Sequence, residues 1–300
     1  MPAPLLIADV PWLLYRSFFA LPKSIVDEQG NPLNALLGLV NALLSVIDAR
    51  PPARMPRAVV ACLGAEQAEY RVRLYPAYHA HREEMPPALA SQWKLAPALL
   101  ESLGWTVSKS EELEADDVMF SFSRAEAKAG GRALLLTGDR DLYAAVSEQV
   151  AVLELRKGGG HAEIGPAQVR ARYGVDPELV PDFIALRGDP SDGLPGAPGI
   201  GAKTAAELLC RYGSLERVLL AAHASSGGGT DAQEGIRPRI AAALRESEEL
   251  LRTFKQIATL QQIDVQRPPD RSTDLAGGAR VAAELGMKRL AARLKGMARG

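Results

Sequence analysis

Four short apolar runs, PLLIAD (4–9), RAVVACL (57–63), RALLLTGD (132–139) and VAVLEL (150–155), constrain the fold of this chain more than any other feature. Each is apolar on both faces and ends abruptly at polar or turn residues. Runs of that kind, separated by helix-length segments, predict parallel strands of an α/β sheet covered by helices. The intervening segments fit. LNALLGLVNALLSVIDA (33–49) and ALASQWKLAPALLESLGW (88–105) carry apolar residues at helical spacing, and Pro97 is expected to kink or break the second. After about residue 165 the pattern changes to helices and Gly/Pro turns, with no internal repeat.

In an open parallel sheet, ligands bind outside the carboxyl ends of the strands, and acids stand at those ends here. Asp9 closes the first run, Asp139 follows LLLTG, and Asp141 comes two residues later. ELEADDV places Glu114, Asp116 and Asp117 at the opening of a helix, and GDPSD adds Asp189 and Asp192 from a loop. Singly, each has an ordinary structural use as turn former, N-cap or partner of a helix dipole. As a converging set they could not all stay ionised without counter-charge. Hard divalent cations, Mg²⁺ or Mn²⁺, resolve that conflict because they prefer oxygen ligands. Two such ions roughly 3.5–4 Å apart activate a water and stabilise the leaving oxygen in phosphodiester cleavage.

Two further segments point to phosphate. PGIGAKTAAELL (198–209) sets Gly199 and Gly201 before a helix with Lys203 and Thr204 near its start, where backbone N–H groups bind anions. It is not a nucleotide-binding loop, because Ala202 separates Gly201 from Lys203 and the run follows a loop instead of a strand. Gly213 and Ser214 then predict the end of that helix and the start of the next. EYRVRLYPAYHAHREEMPPAL (69–89) interleaves Arg71, Arg73, His79, His81 and Arg82 with Tyr70, Tyr75 and Tyr78, a pattern suited to single-stranded nucleic acid, or else a solvated surface.

Composition limits the alternatives. With 35 Lys+Arg against 36 Asp+Glu there is no basic coat, although a local basic groove remains open. The 47% hydrophobic content supports one large domain, or a larger and a smaller one. No run reaches about eighteen apolar residues, so no membrane span is expected. The start lacks a basic n-region and carries Asp9, unlike a signal peptide. Cys62 in VVACL and Cys210 in AAELLC read as buried thiols in a reducing compartment, which points to the cytoplasm. HASSGGGTDAQEG (223–235) reads as a flexible loop, and the tail is basic and helix-prone.

With these residues laid out, the chain resembles the 5′-nuclease (flap endonuclease) family, which includes the 5′–3′ exonuclease domain of bacterial DNA polymerase I. LLIADVPWLLYRSFFAL, ELEADDV, TGDRDLY and GDPSDGLPGAPGIGAKTA carry the likeness nearly end to end. It implies a PIN-like α/β nuclease core with a mostly parallel sheet flanked by helices, at about 1–165, including a helical arch at about 69–105. A helical region, 166–300, would follow, with a DNA-binding helix–hairpin–helix at about 188–219. On this resemblance Asp9 is a metal ligand, Glu114, Asp116, Asp117, Asp139, Asp141, Asp189 and Asp192 are metal ligands, direct or through water, and Arg16 belongs to a Tyr-Arg pair of the active site. YHAHREEMPPAL looks like the arch base, where Tyr78, His79 and Arg82 would meet the 5′ strand. Gly199, Gly201, Lys203 and Thr204 would hold the duplex, with K⁺ in the turn. The expected partner is DNA with a 5′ flap, single strand or recessed end, bound by a monomer.

Two departures from the family pattern carry expectations of their own. Gly64 stands where the family has an Asp, so one metal position loses a carboxylate. Water or Glu66 would fill the gap, activity would favour Mn²⁺ or high metal, and Gly64→Asp would lower the requirement. His79 replaces the usual arch lysine, so a neutral imidazole gives less charge to the scissile phosphate, with slower or more pH-dependent cleavage. A non-catalytic flap-DNA binder and a PIN-type ribonuclease are the rival readings. The second leaves PGIGAKTA unexplained.

Overall fold

In the computed structural model, which describes residues 3–49, 55–224 and 235–298, six strands form one sheet. They are β1 (Leu5–Asp9), β2 (Ala58–Leu63), β3 (Thr106–Lys109), β4 (Ala133–Leu136), β5 (Val150–Leu155) and β6 (His161–Ile164). Their order is β3-β2-β1-β4-β5-β6, and only the β5–β6 pair is antiparallel. Every residue of β1, β2 and β4 is buried, as two-sided apolar runs require. β3 and β6 were not expected. They are short edge strands, TVSK and HAEI, with mostly half-buried or exposed side chains and no apolar run to announce them.

The helices in chain order are α1 (Val10–Ala20), α2 (Asn34–Asp48), α3 (Glu69–Leu74), α4 (Pro87–Ser102) and α5 (Ala115–Lys128). Then come α6 (Pro166–Tyr173), α7 (Val180–Arg187), α8 (Ala202–Tyr212), α9 (Leu215–Ala224), α10 (Pro238–Glu246), α11 (Glu248–Ala258), α12 (Leu275–Glu284) and α13 (Lys288–Met297). Alternate residues of β1 divide the core. Leu5 and Ile7 pack with α5 and α7–α11, while Leu6 and Ala8 pack with α1, α2, α4, α12 and α13. No helix among the described residues is long and apolar enough to cross a membrane.

Residues 259–274 run from α11 to α12 without helix or strand and pass from one face of the sheet to the other. On the way Gln261 N donates to Asp117 Oδ1 (2.7 Å), Ile263 N to Ser121 Oγ (3.0 Å) and Arg267 Nε to Glu126 Oε2 (2.8 Å), all on α5. Arg57 Nη1 then donates to Pro268 O (2.7 Å), and Trp105 Nε1 to Thr273 Oγ1 (3.0 Å).

Several expectations are corrected. Pro97 does not break α4, which runs through it because Ala96, Leu99 and Leu100 are buried around it. The helix is also part of the core, and Gln92 Oε1 accepts from Ala35 N at the start of α2 (2.7 Å). Within the segment expected to carry the arch, about 69–105, the exposed residues concentrate at 80–84. Cys62 is buried as expected, but Cys210 is exposed. Leu208 and Leu209 take the inward face of α8, and the next residue turns outward. The loop expected at 223–235 lies, but for its ends, outside the described residues.

Candidate active site

The chain steps outward from β1 through β2 to β3, then returns to lay β4 on the other side of β1. In a doubly wound sheet the crevice opens at that switch point, beyond the carboxyl ends of the strands. Parallel registers Ala8↔Leu136 and Asp9↔Cys62 bring those ends level. A cavity of about 430 Å³ lies there, lined by Asp9, Glu114, Asp116, Asp139, Asp141 and Asp192. Six of the eight acids expected from the sequence thus share one space.

Local structure fixes their orientations. Asp9 caps α1 by accepting from Trp12 N (3.0 Å), and its other oxygen accepts from Thr137 Oγ1 (2.7 Å). The Thr137 hydroxyl also accepts from Asp139 N (3.0 Å), so one threonine at the end of β4 ties the two strand-end acids together. Asp139 Oδ1 accepts from Asp141 N (2.9 Å). Glu114 accepts from Ala68 N (2.8 Å) and from Tyr78 Oη (3.0 Å), and it pairs with Arg71 at 3.2 Å. Gly138 makes room for the Trp12 indole, since a Cβ there would fall 2.2 Å from the ring.

Crowding of acids shows in their protonation. Burial raises the Asp116 carboxyl well above the usual range, and Asp139, Glu114 and Asp9 push it further. Burial likewise raises Asp139 to about 6, against the pull of the Asp141 N–H and with Asp192, Asp9 and Asp189 adding to the rise. Asp141 rises well above its ordinary value for the same reasons. Asp9 is raised by burial and held back by Thr137, Trp12 N–H and Arg82. Among the described residues that line the cavity, Arg82 alone carries a fixed positive charge. The donors are all oxygens, and their crowding leaves a deficit of positive charge, so the residues present fit hard divalent cations. Among the described residues, no three His, Cys, Asp or Glu side chains already close on a common point at coordinating range.

Two expected ligands face elsewhere. Asp117 is fully buried behind the cavity, where its Oδ1 accepts from Arg71 Nη2 (2.9 Å) and Gln261 N (2.7 Å). It stabilises α5 and the crossing segment. Asp189 Oδ2 pairs with Arg187 (3.2 Å) and its Oδ1 accepts from Ser191, so it acts on the cavity through its charge on Asp139 and Asp141. Arg16 is exposed, with its guanidinium 5.7 Å from the centre of the Trp12 ring, beside the cavity and not in its lining.

The 69–82 segment differs most from expectation. Its rings are not free for stacking: Tyr78 is buried with its hydroxyl on Glu114, Tyr75 packs edge-on against Phe254 at 5.1 Å, and Tyr70 lies against Arg71. His79 is buried and left-handed (φ 55), and its Nε2 meets Asp192 Oδ1 at 2.9 Å. The imidazole that stands in place of the arch lysine is thus held by an acid of the cavity. Arg82 is exposed and donates to Glu66 O (2.8 Å). Glu66 lines the cavity.

Gly64 has a packing reason. A Cβ there would meet Ala115 N at 2.3 Å, Glu114 C at 2.4 Å and Leu113 O at 2.6 Å. The missing carboxylate is thus linked to the close approach of the chain leading into α5, and a side chain cannot simply be restored. Further along, Gly199 (φ 78) and Gly201, the N-cap of α8, precede exposed Lys203, and left-handed Gly213 ends the helix. Sequence reasoning missed Thr137, read Arg71 as a cation for nucleic acid or solvent where it pairs with Glu114 and Asp117, and missed an aromatic wall at Trp12, Tyr15, Phe19 and Trp93. The wall was legible in part, since residues 12, 15 and 19 share a helical face.

Sheet, switch point and acids define a class: α/β proteins with an all-oxygen site for hard cations at the carboxyl edge of a parallel sheet. The family profile described as 5′-3′ exonuclease, N-terminal resolvase-like domain, matches residues 4–174, and the profile for its C-terminal SAM fold matches 175–273. The chain belongs to the 5′–3′ exonuclease family. It is 34% identical to a 5′-3′ exonuclease of Mycobacterium tuberculosis, over 95% of this chain and 93% of that one. It is 36% identical to a Streptomyces coelicolor 5′-3′ exonuclease, over 93% of each. A thermostable DNA polymerase I of Thermus thermophilus is 36% identical over 89% of this chain, which spans 30% of that polymerase. Among solved structures, the T5 D15 protein co-crystallised with metal ions shares the fold with a TM-score of 0.67 at 17% identity, over 97% of this chain and 96% of that one. The catalytic core of Rad2 in complex with DNA substrate gives 0.65 at 12%, over 97% and 92%.

Proposed function

We propose that this chain is a divalent-metal-dependent 5′-nuclease, a 5′–3′ exonuclease and flap endonuclease that hydrolyses DNA phosphodiester bonds at 5′ ends and flaps. The observation that carries the reading is the set of six acids from four separate segments lining one cavity at the sheet's switch point, in a chain of this family. Asp9, Glu114, Asp116, Asp139, Asp141 and Asp192 would hold Mg²⁺ or Mn²⁺. When bound, the ions supply the charge that activates an attacking water and stabilises the leaving oxygen. The protein's own part is orientation: Thr137 and the Trp12 N–H fix Asp9, and Arg71 and Tyr78 fix Glu114. Arg82 offers a phosphate the cavity's fixed positive charge.

On the same reading, residues 1–165 with α12 and α13 packed on them form the nuclease core, and the helices between, from 166 on, grip duplex DNA. Gly199, Gly201, Lys203 and Thr204 meet the phosphates at the start of α8, with K⁺ in the turn, and the protein works as a cytoplasmic monomer. Six retained acids and the packing reason for Gly64 favour catalysis over passive binding. The test uses 5′-flap and recessed-end duplexes with Mg²⁺ or Mn²⁺, comparing wild type with Asp116→Asn. Wild type cuts and the variant does not; no cutting by wild type with either ion ends the proposal.

A further inference from the structure

Tyr78 and His79, adjacent in sequence, hold acids of the cavity that come from two different parts of the chain. The Tyr78 hydroxyl donates to Glu114 Oε2 at the entrance of α5 (3.0 Å), and His79 Nε2 meets Asp192 Oδ1 in the loop after α7 (2.9 Å). The two rings stack, with centroids 3.9 Å apart and planes at 27°. The His79 backbone adds a second tie, because its N–H donates to Asp192 O (3.1 Å) from a left-handed conformation (φ 55). The next residue of the loop, Gly193, is also left-handed (φ 74), and a Cβ there would lie 2.8 Å from Ala77 O. The loop thus lies closer to residues 77–79 than a side chain at 193 would allow. The His79 side chain is only 2% exposed, and its Nδ1 is buried with no partner. Burying a polar nitrogen unpaired costs free energy that an apolar ring would not incur. Packing alone does not account for a histidine here, whereas the bond at Nε2 does.

A carboxylate only accepts, so Nε2 carries the hydrogen of this bond. We propose that His79 is a positioning residue, which fixes Asp192 through Oδ1 and leaves Oδ2 to a divalent cation in the cavity. The inference rests on the nuclease reading and deepens it by giving the imidazole a task at the metal. A carboxylate on a loop must be ordered when an ion arrives, and a bond already in place removes part of that entropic cost. Tyr78 does the same for Glu114. One dipeptide thereby sets the places of two acids that lie far apart in sequence, and the stacking of its rings couples them.

The test is Mn²⁺ binding to the full chain without DNA, read from the electron paramagnetic resonance signal of free Mn²⁺. His79→Asn suits the left-handed backbone, but its amide falls short of the place of Nε2, whereas the longer His79→Gln puts a donor there. His79→Asn is expected to bind Mn²⁺ roughly 10- to 100-fold more weakly than wild type, the usual effect of removing a group that orients a ligand. His79→Gln should recover most of that affinity. In an Asp192→Ala background nothing is left to orient, so adding His79→Asn should weaken binding little further. Equal weakening in both backgrounds would mean that the imidazole acts on the fold or ligates the ion itself, and it overturns the proposal. Wild-type affinity in His79→Asn, or a loss in His79→Gln as large as in His79→Asn, overturns it too. Wild type that binds Mn²⁺ but cuts no 5′ flap would sink the nuclease reading and leave the positioning role standing. Flap cutting by wild type together with undiminished Mn²⁺ affinity in His79→Asn would do the reverse.

Discussion

Placing a carboxylate back at position 64 should damage the protein, although on coordination chemistry alone it ought to help. The added Cβ of Gly64→Asp would lie 2.3 Å from Ala115 N and 2.4 Å from Glu114 C. Comfortable carbon contacts begin at about 3.5 Å, so the overlap exceeds an ångström. It is also against main chain, which cannot rotate aside as a side-chain tip can. Relief requires the end of β2 or the entrance of α5 to move, and Ala65 N is bonded to Leu113 O (2.9 Å) across that junction. Overpacking of this kind costs about 1–3 kcal/mol, and at roughly 2–4 °C per kcal/mol for chains approaching this size the metal-free Tm should fall by about 2–12 °C. Because Glu114 and Asp116 ride on the displaced helix, the Mn²⁺ concentration for half-maximal cleavage should rise. Scanning calorimetry and a metal titration of flap cutting read the two effects. Gly64→Ala supplies the same Cβ without the charge and should lose similar stability. A Gly64→Asp protein that melts like wild type and cuts at lower metal would show the packing argument to be wrong.

Two further outcomes follow from the buried charges. Arg71→Met leaves Asp117 fully buried without its cation, and breaking such a pair costs about 3–5 kcal/mol; urea unfolding that registers less than about 1 kcal/mol would refute that role. The second concerns pH. Native Asp139 titrates at about 6 and its ordinary value is 3.8, so between those values the native protein holds a proton that the unfolded chain has released. Stability of the metal-free protein should therefore fall as pH rises across that window, and the raised Asp116 and Asp141 carry the fall on above it. Added Mn²⁺ should raise Tm more at pH 7.5 than at pH 5, and Asp139→Asn should flatten the metal-free profile. A wild-type Tm profile identical to that of Asp139→Asn would contradict the assignment.

The buried strands and the acids at their ends were legible because two-sided apolar runs announce burial, and a strand's last residue marks the sheet edge. Asp9 and Asp139 reach one cavity for that reason, and Asp116 from the start of α5 and Asp192 from a loop join them there. Side-chain direction within a helix turn was not legible in the same way. Asp116 and Asp117 are adjacent in sequence, yet about 100° of helix rotation sends one to the cavity and the other to Arg71. Arg71 itself looked like a solvent-facing cation, and only the fold shows it buried against α5 and the carbonyl of Ile257 (3.1 Å). Tyr75 and Tyr78 misled for the same cause, since a ring beside an arginine in sequence says nothing of what covers it. Gly64 read as a loss of chemistry, because sequence carries no trace of the backbone pressed against it.

The segment 259–274 bears on how the molecule comes apart. It bonds α5 at residues 117, 121 and 126, then reaches residues beside β2 and β3 on the far side of the sheet. The helix that presents Glu114 and Asp116 is thereby splinted along its length by chain lying more than a hundred residues downstream. Amide hydrogens of α5 and of this segment should consequently open in a single cooperative event, and a fragment ending near residue 174 would lose the splint along with the helices that cover it.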